Sequence, residues 1–302
     1  MEDVDLFCPI FSVNWKNFKD NVESWIKEIP IRKAYIGCAN PNNYEFRRIK
    51  DYIERLENFE FYDQRHYTTA GICFAELIKK IKTKWFVYVH SDVWLTPFSF
   101  LVLKAEAENN QKAGIIESER VQLTLDNQEY PTEYPWYYYR DRAFSGYQLI
   151  RKDAVMDLVN QIEDDYISNT EDICFQNACQ NAGFDYIKSF AMHVHRISKL
   201  NSIRTPTHKI LPKEEIFQVT FDMNMKAIVK YCTPTEITLN SFINSYMNLY
   251  EYGSVLFEFI VNFVRKVNPQ WEDPIIQKIQ EMNFYEEMEK FYKETKKEII
   301  RK

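Results

Sequence analysis

Several patterns that define large classes of protein are missing from this sequence. Its six cysteines include no Cys-x-x-Cys pair, which argues against a zinc ribbon and favours buried thiols in a reducing compartment. No apolar run reaches about 18 residues, the length at which a membrane-spanning helix is expected. The acidic N-terminus has no basic segment of the kind that opens a signal peptide. We therefore expect a cytoplasmic protein.

Positive charge and glycine are also in short supply. The formal net charge is −6, so the broad basic face of a nonspecific nucleic-acid binder is not expected. Only six glycines occur in 302 residues, and the stretch Ser12–Phe18, after the first predicted strand, has neither glycine nor an arginine cluster. A nucleotidyltransferase would need a glycine-rich, basic phosphate loop at that point, so this class of enzyme ranks low.

Apolar strands alternate with amphipathic helices over the first 120 residues. Each strand candidate is a short apolar run, and the segments between the runs repeat apolar residues at helical spacing. The predicted strands are Val4–Val13, Lys33–Ala39, Phe59–Asp63, Lys84–Val89 and Ala113–Ser118. This order is typical of βαβ units, and it predicts an α/β, Rossmann-like fold with a mostly parallel central sheet.

The pattern changes twice farther along the chain. Residues 120–142 contain two prolines and six aromatic residues, which predict a long irregular loop. A helix is predicted over Asn169–Gly183, with Gly183 as its stop, before a strand that ends in a His-x-His pair. After about residue 207 the patterns are helical. We predict a catalytic domain of residues 1–207 and a helical C-terminal region of residues 208–302.

A carboxylate and an imidazole stand where a parallel sheet would place a ligand. His90-Ser91-Asp92 follows the apolar fourth strand at its carboxyl end, where open sheets collect ligands. His193 and His195 alternate along a later strand, so their rings are expected on one face. A carboxylate with an imidazole suits Mn²⁺ or Mg²⁺, and nitrogen ligation favours Mn²⁺. The alternative for Asp92 is a cap on the helix that follows.

An acidic pair, Glu171 and Asp172, lies in the first turn of the helix predicted over residues 169–183. Either carboxylate can act as a general base toward an incoming hydroxyl. Acidic residues in a first helical turn also complement the helix dipole. Both interpretations stay open at this point.

In their order, these features resemble the GT-A fold glycosyltransferases, and specifically the inverting group called family two. The resemblance covers roughly Asp3 to Ser198 and includes the opening strand and helix, VDLFCPIFSVNWKNFKDNVESWI. His90-Ser91-Asp92 occupies the place of an Asp-x-Asp motif, with a histidine in place of the first aspartate. The segment AFSGYQLIRKDAV, the acidic pair and the later histidines complete the match.

The resemblance implies a metal-assisted, inverting sugar transfer from a nucleotide diphosphate, with UDP-sugars favoured, to a hydroxyl of a glycan, lipid-linked or protein acceptor. It implies Asp172 as the catalytic base with Glu171 beside it. It implies Asp92 and His195 as ligands of Mn²⁺ or Mg²⁺, with His193 in reserve. The residues implied on the nucleotide side are Phe11, Asn40, Asp63, His90 and Asp92, and those on the acceptor side are Trp136 and Gly146.

Two alternatives remain open from the sequence. The loss of the first aspartate at His90 is compatible with an inactive sugar-binding or assembly subunit of the same fold. Release of UDP from a UDP-sugar would separate an enzyme from such a binder. The aromatic stripe YEYGSVLFEFIVNFVRKV either packs on the protein or lies on the inner face of a membrane, beside a lipid-linked acceptor.

Overall fold

The computed structural model describes residues 3–11, 15–40, 42–67, 70–124, 136–139, 146–163, 171–197, 225–250 and 257–281. The chain divides into two compact units. The first contains Met1–Asp165 and Ala178–His208, and the second contains Tyr166–Asn177 and Lys209–Lys302. The boundary expected near residue 207 stays a prediction.

The described part of the first unit is built on a nine-stranded sheet. The strands are β1 Val4–Ile10, β2 Ile31–Cys38, β3 Phe59–Asp63, β4 Trp85–Val89, β5 Val93–Leu95, β6 Ala113–Thr124, β7 Trp136–Tyr139, β8 Tyr147–Arg151 and β9 Asp185–Ile197. The helices among them are α1 Trp15–Glu28, α2 Asn43–Ile53, α3 Ala70–Lys80, α4 Ser99–Asn109 and α5 Met156–Gln161, with a 3₁₀ turn at Lys152–Ala154. Helix α6, Glu171–Asn181, contains a boundary between the units.

The strand order is β3-β2-β1-β4-β8-β6-β9-β5, with β7 paired to β6 outside this path. Strands β3, β2, β1 and β4 are parallel neighbours. Strand β8 lies between β4 and β6 and is antiparallel to both, whereas β9 runs parallel to β6. The predicted α/β fold class is confirmed, and the sheet that carries it is mixed.

The sheet is buried on both faces, as the unbroken apolar runs of its central strands require. On one face, Leu6 and Cys8 of β1 belong to a core that includes Trp25 of α1. On the other face, the ring of Phe7 stacks on Tyr88 of β4 at 4.8 Å between centroids. Each large apolar side chain fully buried in this way contributes about 1.5–3 kcal/mol to folding.

The irregular loop expected over residues 120–142 is wrong in two places. Strand β6 continues to Thr124, and Trp136–Tyr139 forms β7, which pairs antiparallel with it. Tryptophan and tyrosine favour strands, and this propensity prevailed over the two prolines that suggested a loop. Residues 125–135 and 140–145 lie outside the described residues.

Strand β9 contains a bulge just before its two histidines. Glu117 of β6 pairs with Lys188 of β9, and Glu119 pairs with Met192. The register therefore advances two residues along β6 but four along β9. Within the bulge, the Ser189 hydroxyl accepts a hydrogen bond from its own strand and donates one to helix α4.

The described part of the second unit is helical, as predicted. Its helices beyond α6 are α7 Lys226–Tyr231, α8 Glu236–Tyr250, α9 Phe257–Val267 and α10 Glu272–Glu281, with a 3₁₀ turn at Pro269–Trp271. Trp271 is fully buried, and its indole N–H donates to the carbonyl of Cys232 at 3.0 Å. Across the described residues, no helix is both long and apolar enough to cross a membrane.

Candidate metal and nucleotide site

Four candidate residues lie at one edge of the sheet. Phe11, Asn40, Asp63 and His90 stand at or just after the carboxyl ends of the parallel strands β1, β2, β3 and β4. Gly146 reaches the same edge from the opposite direction, because β8 runs antiparallel to β4. The backbone N–H of His90 donates to the carbonyl of Gly146 at 2.8 Å. This is the edge at which open α/β sheets bind ligands.

His90, Asp92 and His195 form a cluster of metal-ligand type at this edge. One ligand atom from each residue lies within 4.8 Å of the other two. The Asp92 carboxylate is 2.8 Å from Nε2 of His195. The rings of His90 and His195 are nearly perpendicular, with centroids 5.7 Å apart. The side chains of Asp92 and His195 are only 13% and 8% exposed, so water screens this cluster weakly.

Backbone hydrogen bonds hold the cluster in place. Val93 of β5 pairs antiparallel with His195 of β9, which brings the segment after Asp92 against the histidine strand. Helix α1 fixes that segment from the other side. The side-chain amide of Asn21 donates to the Ser91 carbonyl at 2.9 Å, and the indole of Trp25 donates to the Val93 carbonyl at 2.8 Å.

His193 lies deeper in the same strand and has a different environment. Its ring centroid is 6.4 Å from that of His195, and its side chain is fully buried. The Ser118 hydroxyl donates to the Tyr147 carbonyl and lies 2.8 Å from Nδ1 of His193. Since the one hydroxyl hydrogen serves the Tyr147 carbonyl, the hydroxyl oxygen is placed to accept from Nδ1–H of His193. Among the described residues, the ligand cluster contains His195 and not His193.

The donor set fits a divalent cation. Two imidazole nitrogens and one carboxylate oxygen suit a first-row metal such as Mn²⁺ better than Mg²⁺, which prefers oxygen. The nearby Cys8 does not offer a thiolate. Burial, and then the negative charge of Asp92, raises the pKa of the Cys8 thiol well above its ordinary value, so the sulfur stays protonated.

The β2–β3 side of the edge carries a fixed charge pair. The Arg65 guanidinium donates two hydrogen bonds to the Asp63 carboxylate, at 2.9 and 2.6 Å, and its charge lies 3.6 Å from the ring centroid of Phe46. The hydrogen bonds from Arg65 lower the pKa of Asp63. Asn40 is buried, and its side-chain oxygen accepts from the backbone of Asn42, which closes the turn before α2.

Two solved structures of TarS from S. aureus, residues 1–349, share this architecture. The complex with UDP-GlcNAc matches with a TM-score of 0.56, and a second TarS 1–349 structure matches with a TM-score of 0.54. Each is 10% identical in sequence, and each match covers 92% of this chain and 85% of that chain. The fold is GT-A. No protein-family model and no curated protein matches the sequence.

The GT-A fold confirms the fold that the sequence resemblance implied. The same resemblance placed His90 on the nucleotide side alone, and the structure gives it an additional position as the third member of the ligand cluster. The signal was present in the sequence, because His90 occupies the place of the first aspartate in an Asp-x-Asp pattern and imidazole is itself a metal ligand.

The remaining candidates in the GT-A fold are placed by their backbone alone. Glu171 and Asp172 are the first two residues of α6, and Trp136 is the first residue of β7. Their side chains lie outside the described residues, so their roles stay predictions. The helix stop expected at Gly183 is confirmed: α6 ends at Asn181, and Gly183 has a φ of +79°.

Proposed function

We propose that this protein is a glycosyltransferase that moves a sugar from a nucleotide diphosphate, with UDP favoured, to an acceptor hydroxyl. The observation that carries the proposal is the His90–Asp92–His195 cluster at the ligand-binding edge of a GT-A sheet. TarS, which shares the fold, has been solved in complex with UDP-GlcNAc.

The cluster would hold Mn²⁺, with Mg²⁺ as the second choice. When bound, the metal would stabilise negative charge on the departing diphosphate. The other contacts to the nucleotide would come from side chains of this protein. Asp63 and Asn40 offer polar atoms at the β2–β3 side, where the nucleotide base would lie, and Phe11 offers an apolar ring. Like any solvated aspartate, Asp63 is ionised at neutral pH, and Arg65 lowers its pKa further, so its carboxylate can accept a hydrogen bond from a base N–H.

The transfer itself would be a single displacement. The acceptor oxygen attacks the anomeric carbon from the face opposite the diphosphate, and the bond from that carbon to the diphosphate oxygen breaks. The electron pair of the broken bond leaves with the diphosphate, and the configuration at the carbon inverts. Asp172 accepts the proton of the acceptor hydroxyl, with Glu171 as the neighbouring carboxylate.

The test is a screen of nucleotide sugars for release of the nucleoside diphosphate in the presence of Mn²⁺, followed by two matched variants. We expect turnover of a UDP-sugar, and we expect Asp172→Asn to lower kcat by about 10²-fold or more while the affinity for the donor changes little. Glu171→Gln should be the milder change. Full activity of Asp172→Asn would remove this residue from the mechanism, and failure to bind any nucleotide sugar would refute the proposed function.

A sugar-binding subunit without transferase activity is the second candidate, and His90 in the place of an aspartate is the observation that favours it. Binding of a UDP-sugar without release of UDP, with every acceptor class tested, would identify such a binder. The acceptor would be a glycan, a lipid-linked sugar or a protein. Contact of the C-terminal region with a membrane is the weaker proposal, because Ile260 and Val264 of α9 are fully buried and do not face outward.

A further inference from the structure

Three polar side chains lie side by side on the face of the sheet that carries His90. Tyr88 of β4 pairs with Gln148 of β8, and Gln148 pairs with Glu117 of β6. Opposed residues on antiparallel strands share one face, with Cβ atoms about 5 Å apart. Tyr88 and Gln148 are fully buried, and Glu117 is 3% exposed. We call these three residues the buried polar row.

Gln148 is the unusual member of the buried polar row. Within the described part of the chain, neither its side-chain nitrogen nor its side-chain oxygen has a hydrogen-bond partner. The Glu117 carboxylate, in contrast, accepts a hydrogen bond from the Tyr186 hydroxyl. Enclosing a primary amide without partners is costly, and buried amides in proteins are nearly always satisfied. The cost of burying the Gln148 amide without hydrogen bonds is explained if the amide binds a ligand.

The buried polar row lies next to the metal cluster. Gly146, just before β8, and Gln148 are two residues apart, which is roughly 6.6 Å along an extended chain. Tyr88 of β4 and His90, just after β4, are also two residues apart, and their ring centroids are 5.1 Å apart. Gly146, with a φ of +85°, lets the chain pass close under His90, since a Cβ there would lie 3.0 Å from the imidazole ring.

We propose that the side-chain amide of Gln148 binds hydroxyl groups of the donor sugar and helps to select that sugar. This proposal rests on the function proposed above. The sugar is joined directly to the diphosphate, so its ring must lie beside the cation, and the row adjoins that position. A primary amide carries both a donor and an acceptor, which fits two neighbouring hydroxyls.

Enclosure makes the amide selective. A sugar that lacks the matching hydroxyl would leave the buried amide unpaired, and such a site rejects the incomplete ligand strongly. The sugar would reach the row from the His90–Gly146 end, which adjoins the metal cluster. Binding of the nucleotide alone would not involve Gln148.

The experiment compares Gln148→Met with the wild-type chain by melting temperature and by calorimetric Kd values for UDP and for the UDP-sugar that it turns over. Methionine has a similar shape and needs no hydrogen bond. We expect the Tm without ligand to rise by about 2 to 4 °C, because the unpaired amide is gone. The affinity for the UDP-sugar should fall about tenfold, with the affinity for UDP unchanged.

Gln64→Met is the matched control for stability. Gln64 is also a buried glutamine. Its side-chain oxygen has no hydrogen-bond partner among the described residues, but its side-chain nitrogen donates to the Cys73 carbonyl at 3.0 Å, so its replacement loses a hydrogen bond and should lower the Tm. Gln148→Leu is a second variant in case methionine packs poorly. A lower Tm in both Gln148 variants would mean that the amide is satisfied within the protein.

Equal changes in the affinities for UDP and for the UDP-sugar would also overturn the selective role of Gln148, and so would a raised Tm with both affinities unchanged. These outcomes leave the glycosyltransferase proposal intact. A wild-type chain that binds neither UDP nor any UDP-sugar would refute the proposed function itself, and this proposal with it.

Discussion

Replacement of Asp92 by asparagine tests the metal cluster with almost no change of shape. The carboxylate oxygen lies 2.8 Å from Nε2 of His195 in a mostly buried position, so the substitution removes the one negative charge that the cluster supplies. Loss of an outer-shell partner costs metal sites about 10- to 100-fold in affinity, and loss of a ligand costs at least as much. We therefore expect the Kd for Mn²⁺ to rise by at least about 100-fold.

The size of the effect on stability follows from mass action. At a Mn²⁺ concentration 100 times the wild-type Kd, binding stabilises the folded chain by about 2.7 kcal/mol, which corresponds to a Tm increase of about 5 to 10 °C for a domain of this size class. A 100-fold weaker site at the same concentration is stabilised by only about 0.4 kcal/mol, so the Tm increase shrinks to about 1 °C.

Differential scanning fluorimetry with and without Mn²⁺, each referenced to a chelator, measures this difference. Asp153→Asn is the matched control, because Asp153 is an exposed carboxylate paired with Arg151 at the other end of β8. It should retain the full Mn²⁺-dependent shift. A shift that survives Asp92→Asn, or that both substitutions reduce alike, would refute the assignment of the metal to this cluster.

Three further outcomes are expected. Gly146→Ala should destabilise the chain by about 1–2 kcal/mol in urea titrations, because φ is +85° and the added methyl meets the His90 ring at 3.0 Å. Above pH 4, the free energy of unfolding of Arg65→Gln should be up to about 1 kcal/mol lower than that of the wild type. This difference should shrink as the pH falls through the lowered pKa of Asp63, because the carboxylate then takes up a proton and no longer pairs with Arg65. Unfolding curves recorded in the acid range measure the difference. Trp25→Phe should cost about 2 kcal/mol through the lost indole hydrogen bond and cavity, measured by chemical denaturation.

The parallel half of the sheet could be predicted from the sequence because its strands are apolar on both faces. A run such as Val4–Ile10, all of it buried, is compatible with a central parallel strand and with few other elements. The position of Asp92 after such a strand was therefore informative. The place of β8 in the sheet could not be predicted. The mostly apolar sequence of Tyr147–Arg151 is the same whichever direction the strand runs and whichever strands it pairs with.

The partners of His195 could not be predicted for a related reason. The alternation in its strand indicates which residues share a face, but the pairing of His195 with Val93 depends on register, and register is a long-range property. The unpaired amide of Gln148 could not be predicted either, because the sequence does not show which groups surround a polar residue in an otherwise apolar strand.

The bulge in β9 makes the site sensitive to odd and even changes in chain length. Side chains alternate between the two faces, so removing one residue of the segment 189–191 would turn His195 away from Asp92, whereas removing two would restore its orientation. A deletion series through this segment should therefore lose and regain cation binding in alternate members.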